Sequence, residues 1–127
     1  MKFSHVSITA RDMDNSVKFY QEALGLDLVS RREIRENNAE IAFLSDRVSD
    51  VRIELTFWRD KTEWISGDEL DHLAFTVQNM DEAMETFRRQ GVEIAKEPYS
   101  LKGSTAKIAF IKDPNGIWIE IIESKKV

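Results

Sequence analysis

Asp71-His72-Leu73-Ala74-Phe75-Thr76-Val77 is a second copy of Ser4-His5-Val6-Ser7-Ile8-Thr9-Ala10, and these two stretches hold the only two histidines of the chain. The copying runs outward at a constant offset. The interval from His5 to His72 is also that from Met13 to Met80, from Asp14 to Asp81 and from Tyr20 to Phe87. Ile41-Ala42-Phe43-Leu44 returns at that offset as Ile108-Ala109-Phe110-Ile111, and Ile53-Glu54-Leu55 returns as Ile119-Glu120-Ile121 after a single deletion. Repetition on this scale decides the architecture before any single element is assigned. A chain of 127 residues supports one ordinary core and not two independent large ones, so the copies read as halves of one domain, 1–127.

Each copy reads as βαβββ. In the first module, about 1–58, residues from Phe3 to Ala10 alternate as a strand, with Phe3, His5, Ser7 and Thr9 on one face and Val6 and Ile8 on the other. Asp14-Asn15-Ser16 supplies N-cap candidates, Val17, Tyr20, Ala23 and Leu24 follow at helical spacing, and Gly25 ends the helix. Strands are expected at Leu26–Ile34, Ala39–Ser45 and Asp50–Trp58, with turns at Glu36-Asn37-Asn38 and Asp46–Ser49. A charged connector, about 59–69, is compatible with a short helix or a loop. The second module, about 70–124, repeats the order: a strand at Leu70–Val77, a helix at Asp81–Gln90 closed by Gly91, then strands at Val92–Ala95, Ala106–Lys112 and Ile117–Ile122. Asp113-Pro114-Asn115-Gly116 is a tight-turn sequence, and Ser124-Lys125-Lys126-Val127 is expected to fray. The fold class is α+β, two tandem βαβββ modules forming a curved mixed-sheet cup.

Composition narrows the function classes. Apolar residues make up 42% and charged residues 32%, the balance of a soluble globular protein. A net charge of −5 without a basic patch argues against nucleic acid or an anionic membrane as partner. No apolar run approaches ~18 residues and no signal-like segment opens the chain, so a cytoplasmic protein is expected. With no cysteine, a metal site has only nitrogen and oxygen donors to draw on.

Four polar residues fall where a core would not want them. Alternation puts Glu54 with Arg52, Thr56 and Trp58 opposite Ile53 and Leu55, and Glu120 with Trp118 and Ile122 opposite Ile119 and Ile121. An ionised carboxylate among such neighbours is costly unless it is paired or metal-bound. If the aliphatic faces pack on the helices, the opposite faces carry His5, Glu54, His72 and Glu120, two imidazoles and two carboxylates around one point. Taken singly, each is as readily a satisfied sheet residue. As a matched set they suit a divalent ion of the nickel, cobalt, zinc, manganese or iron type, acting as a Lewis acid, with a loosely held carboxylate as general base.

On these features the chain resembles the vicinal oxygen chelate superfamily and, within it, the bacterial lactoylglutathione lyase (glyoxalase I) branch. The matching segments are Ser4-His5-Val6, Phe19-Tyr20 with Leu24-Gly25-Leu26, Ile53-Glu54-Leu55-Thr56, Asp71-His72-Leu73-Ala74, Ile108-Ala109-Phe110, Asp113-Pro114-Asn115-Gly116 and Ile119-Glu120. The resemblance implies that His5, Glu54, His72 and Glu120 ligate the ion, nickel or cobalt foremost. It implies that Glu120, with Glu54, moves the proton that converts the hemithioacetal of methylglyoxal and a thiol to the 2-hydroxyacyl thioester through an enediolate. It also implies a homodimer with sites at the subunit interface.

Departures concern the thiol. Where members of this branch carry an Arg on the first strand and an Asn after the Glu of the fourth, this chain has Thr9 and Trp58. Lys102-Gly103 matches the segment that meets the other end of glutathione. Trp58 either fills sheet surface or walls the pocket, and the Phe19-Tyr20 pair with Met13 and Met80 reads as core or dimer contact. Competing functions are an extradiol-type dioxygenase, a thiol transferase, an epimerase, or a non-catalytic small-molecule-binding member. A fourth charged ligand, Glu54, argues against the dioxygenase and transferase. The epimerases usually have Gln in place of Glu54, and the binding proteins generally lack the ligands.

Overall fold

A computed structural model describes residues 1–124, and the fraying expected of Lys125-Lys126-Val127 lies outside the described residues. Two compact units, Met1–Ile65 and Ser66–Val127, divide the chain close to the boundary of the repeat.

In the first unit the order is β1 (His5–Thr9), α1 (Met13–Glu22), β2 (Asp27–Ile34), β3 (Ala39–Ser45) and β4 (Arg52–Trp58). The strands lie β1-β4-β3-β2, with β1 parallel to β4 and the other pairs antiparallel. The parallel pairing follows from the βα connection: α1 carries the chain back across the sheet, where a two-residue turn could only have reversed it. Helix α1 buries Met13, Val17 and Tyr20, and the sheet's aliphatic residues Ile8, Ala42, Leu44, Ile53 and Leu55 are buried with them. Met13 and Tyr20 are therefore core.

The second unit repeats this with β5 (Leu73–Val77), α2 (Met80–Arg89), β6 (Glu93–Ser100), β7 (Lys107–Lys112) and β8 (Trp118–Glu123), in the order β5-β8-β7-β6. Strand β5 runs parallel to β8. Met80, Met84 and Phe87 of α2 are buried, as are Ala109, Ile111, Ile119 and Ile121 of the sheet. Both units thus have the expected βαβββ order and mixed four-stranded sheet.

Several boundaries differ from the sequence reading, each for a local reason. The helices are capped earlier than expected: Asp12 accepts from the Asn15 N–H at 2.9 Å and Asn79 from the Glu82 N–H at 3.0 Å. Asp14 instead sits in the first turn of α1, where a negative charge faces the positive helix end. Gly25 and Gly91 follow the helices at φ 70° and 73°, the left-handed conformation expected of them. Strand β1 begins at His5 and β4 at Arg52, later than expected, because the ladder between them starts with that pair. Strand β5 begins at Leu73, leaving His72 just before it. Strand β6 runs to Ser100, past Pro98, which a central strand would not tolerate. It is an edge strand, and its register slips between Lys96 and Tyr99, where the missing proline N–H falls. Residues 59–69 form neither helix nor strand. Ser124 is tied down, its N–H donating to the Val77 carbonyl at 2.8 Å.

Two turns depend on a buried or folded-back aspartate. Asp113 Oδ1 accepts from the N–H groups of Asn115 and Ile117, both at 2.8 Å, which delivers the chain into β8. Asp46 Oδ1 accepts from the N–H of Val48 at 2.9 Å and of Ser49 at 2.8 Å. The Val48 N–H above all holds the Asp46 carboxyl below the ordinary aspartate range.

Two outcomes are expected. Leu55 has no exposed surface, so Leu55→Ala lowers stability by about 2–5 kcal/mol in urea unfolding. Asp46 has a depressed folded-state pKa, so its contribution is present above the ordinary value of about 4 and lost as pH falls through the lowered one. Asp46→Asn, compared with wild type across acid pH, flattens that part of the stability profile.

Candidate metal-ligating pairs

Strand register places the four predicted residues in two equivalent pairs, one in each unit. In β1 and β4, Ser7 pairs with Glu54, and His5 lies two residues before Ser7 on the same face. His5 Nε2 stands 3.7 Å from Glu54 Oε1. In β5 and β8, Ala74 pairs with Glu120, and His72 lies two residues before Ala74. His72 Nε2 stands 3.1 Å from Glu120 Oε1. Both glutamates are largely covered, with 17% and 18% of their side chains exposed, while the imidazoles are about one-third open. Among the described residues neither unit gathers three carboxylate or imidazole groups at one point. Each contributes one imidazole and one carboxylate.

The surroundings of the two rings are copied as well. A phenylalanine meets each imidazole in a T-shaped contact, Phe43 with His5 at 5.2 Å and Phe110 with His72 at 5.6 Å between ring centroids. Phe43 pairs with Glu54 across β3 and β4, and Phe110 with Glu120 across β7 and β8. The far nitrogen of each ring is hydrogen-bonded to the preceding residue: Ser4 Oγ to His5 Nδ1 at 2.8 Å, and Asp71 Oδ2 to His72 Nδ1 at 2.7 Å. The Asp71 hydrogen bond is the main reason the His72 pKa is raised above the ordinary histidine value, with partial burial opposing it and the Glu120 charge adding to it.

These groups fit a divalent cation. Two ligand atoms each about 2.1 Å from one ion stand about 3 Å apart at a right angle, the separation of His72 Nε2 and Glu120 Oε1 and slightly less than that of His5 and Glu54. In both units Nδ1 is engaged elsewhere, which leaves Nε2, the atom facing the carboxylate, as the donor.

The predicted substrate residues have less definite surroundings. Thr9 pairs with Thr56, and Trp58, 40% exposed, ends β4 opposite Ala39 on the Glu54 face. Lys102 and Gly103 lie exposed in the loop between β6 and β7, Gly103 at φ 84°. Ser4, Asp71, Phe43 and Phe110 were not given site roles by the sequence reading. Ser4 and Asp71 occupy equivalent places in the repeat, each directly before a histidine, and that was the available signal. Arg32 is a further charged residue of the first unit. It pairs with Ile41, which pairs with Thr56, so it lies on the His5 face. Its neighbour Arg31 points the other way, to Asp14 and Glu40.

The profile of the Glyoxalase/Bleomycin resistance protein/Dioxygenase superfamily matches residues 2–121. The chain belongs to that superfamily. It is 35% identical over 127 residues to the lactoylglutathione lyase of Haemophilus influenzae, covering 98% of this chain and 94% of that protein. The crystal structure of glyoxalase I from Zea mays superposes with a TM-score of 0.89 at 26% identity, over 99% of this chain but 46% of the maize chain. The chain therefore spans about half the length of that superfamily member. The trypanothione-dependent glyoxalase I of Leishmania major matches with a TM-score of 0.83 at 28% identity, over 98% of this chain and 88% of its own.

The imidazole–carboxylate chemistry of the two pairs predicts that the metal-free protein binds Ni²⁺ or Co²⁺ in calorimetric titration. His5→Ala and His72→Ala should each weaken that binding by at least an order of magnitude, because each removes the nitrogen donor of its pair.

Proposed function

We propose that the protein is a divalent-metal-dependent lyase of the glyoxalase I type. It would convert the hemithioacetal of a 2-oxoaldehyde, methylglyoxal being the simplest aldehyde of that class to fit the reading, into the 2-hydroxyacyl thioester. The observation that carries this reading is the duplicated imidazole–carboxylate pair on the open sheet face of each unit, in a chain matched nearly end to end by a lactoylglutathione lyase. His5, Glu54, His72 and Glu120 would hold the ion, nickel or cobalt ahead of zinc, manganese or iron. When bound, such an ion supplies Lewis-acid stabilisation of negative charge on neighbouring substrate oxygens.

The chain's own residues supply the proton transfer. A Glu120 carboxylate oxygen takes the proton from the carbon that bears sulfur, and Glu120 or Glu54 delivers a proton to the adjacent carbon. The hydroxyl proton of the first carbon passes to the oxygen of the second, so the first carbon becomes the thioester carbonyl and the second a secondary alcohol, and atoms and electrons balance without an external redox partner. Phe43 and Phe110, each in a T-shaped contact with an imidazole and paired across strands with a glutamate, make the surroundings of both carboxylates less polar, which strengthens electrostatic interaction there.

The thiol is the finer question. Thr9 and Trp58 remove the Arg and Asn that the glutathione-using branch carries, while Arg32 adds a cation and Trp58 an exposed aromatic surface on the His5 face. Lys102 and Gly103 complete the proposed substrate contacts, and the family resemblance supports a homodimer.

The test is thioester formation from methylglyoxal with glutathione and with other thiols, using protein reloaded separately with nickel, cobalt, zinc, manganese and iron. Turnover with at least one metal and thiol is expected, and absence of turnover in every combination overturns the reading. In the active combination Glu120→Gln should lower kcat about 10²–10⁴-fold. Activity retained by that variant would remove Glu120 from the role of base.

A further inference from the structure

We infer that Asp71 is a positioning residue: it holds the His72 imidazole with Nε2 free and aimed at Glu120, and so tightens the hold of the second unit on a divalent cation. The inference rests on the metal reading of the His–Glu pairs but names a residue outside the four ligands. Asp71 Oδ2 lies 2.7 Å from His72 Nδ1, and on the opposite side of the same ring Nε2 lies 3.1 Å from Glu120 Oε1. The ring is thus held along one axis by two carboxylates, and Phe110 packs against it in a T-shaped contact.

In a regular strand a residue and its predecessor project to opposite faces, so this contact needs an interruption. Strand β5 begins only at Leu73, and Asp71 and His72 lie outside its ladder, which frees the Asp71 carboxylate to fold back onto the ring. His5 is the first residue of β1, and Ser4 makes the equivalent contact from just outside it. The same geometry therefore arises twice, in separate units, with different chemistry. A carboxylate accepts the Nδ1 proton in a charge-assisted hydrogen bond and raises the basicity of Nε2, whereas a hydroxyl is a neutral and weaker partner. The second unit consequently holds the stronger nitrogen donor.

Asp71 has little structural work to do. Its side chain is 92% exposed, and an exposed ion pair of this kind contributes little to folding. Metal affinity can therefore be measured apart from stability.

The experiment compares wild type with Asp71→Ala, Asp71→Asn and Ser4→Ala at an alkaline pH where a ¹⁵N titration shows the His72 ring to be neutral in each. Two quantities are read: Co²⁺ affinity by competition with a chelator, and the His72 tautomer in metal-free protein by long-range ¹H–¹⁵N correlation. Asp71→Ala should weaken Co²⁺ binding about 10–100-fold and shift His72 away from the Nδ1–H form, with the urea midpoint unchanged. Asp71→Asn, which keeps an acceptor oxygen but not the charge, should lose less, and Ser4→Ala should lose less than Asp71→Ala. Co²⁺ binding and a His72 tautomer that Asp71→Ala leaves unchanged overturn this inference alone. Wild-type protein that fails to bind Co²⁺, or His72→Ala that binds it as tightly as wild type, overturns the metal reading and this inference with it.

Discussion

A carboxylate in the middle of a hydrophobic strand survives only if something of complementary chemistry faces it, and in both units of this chain the facing group is an imidazole. Glu54 and Glu120 each stand among isoleucines and leucines that belong to the core, yet alternation turns the carboxylates to the other side of the sheet. The helices pack on the aliphatic side and leave the acidic side open. The division of each sheet into a greasy face and a face that carries an imidazole against a carboxylate is the constraint from which the remaining features follow.

Parallel pairing of the first and last strands of each unit is what brings imidazole and carboxylate together. In β1 and β4 the register sets Ser7 beside Glu54, so His5, two residues earlier, reaches diagonally to the carboxylate. The same diagonal relates His72 to Glu120. A slip of one residue in either ladder would turn the glutamate into the core, an outcome the flanking Ile53, Leu55, Ile119 and Ile121 forbid. Hydrophobic burial thereby fixes the position of a polar site that it does not touch.

The two units are copies in backbone and not in chemistry. Asp71 replaces Ser4 behind the imidazole, Trp118 precedes the second glutamate on its strand face where Arg52 precedes the first, and the donor atoms are closer in the second unit. Duplication supplies matching scaffolds, and substitution on each then gives the two imidazoles different hydrogen-bond partners, a hydroxyl in one unit and a carboxylate in the other. Thr9, Arg32 and Trp58, on the face that carries His5 and Glu54, all lie on the first unit.

Sequence alone determined the repeat, the order of elements, the four candidate ligands and their faces, because hydrophobic periodicity and turn chemistry are local properties that one chain displays directly. It placed His5 and Glu54 on one face without needing a distance between them. It misplaced the helix caps, although Asp12 and Asn79 are themselves related by the offset of the repeat, because Asp14-Asn15-Ser16 offers equally good capping side chains and only backbone conformation selects among them. It ended β6 too early at Ala95, since Pro98 reads as a breaker unless the strand is known to lie at an edge. What only the tertiary structure decided was contact across strands: the approach of each Nε2 to its glutamate, the phenylalanine contacts on both rings, and the fold-back of Ser4 and Asp71. Those depend on register and on where each ladder begins, which are set by hydrogen bonds between the first and last strands of a unit, far apart along the chain, and have no signature in either strand alone.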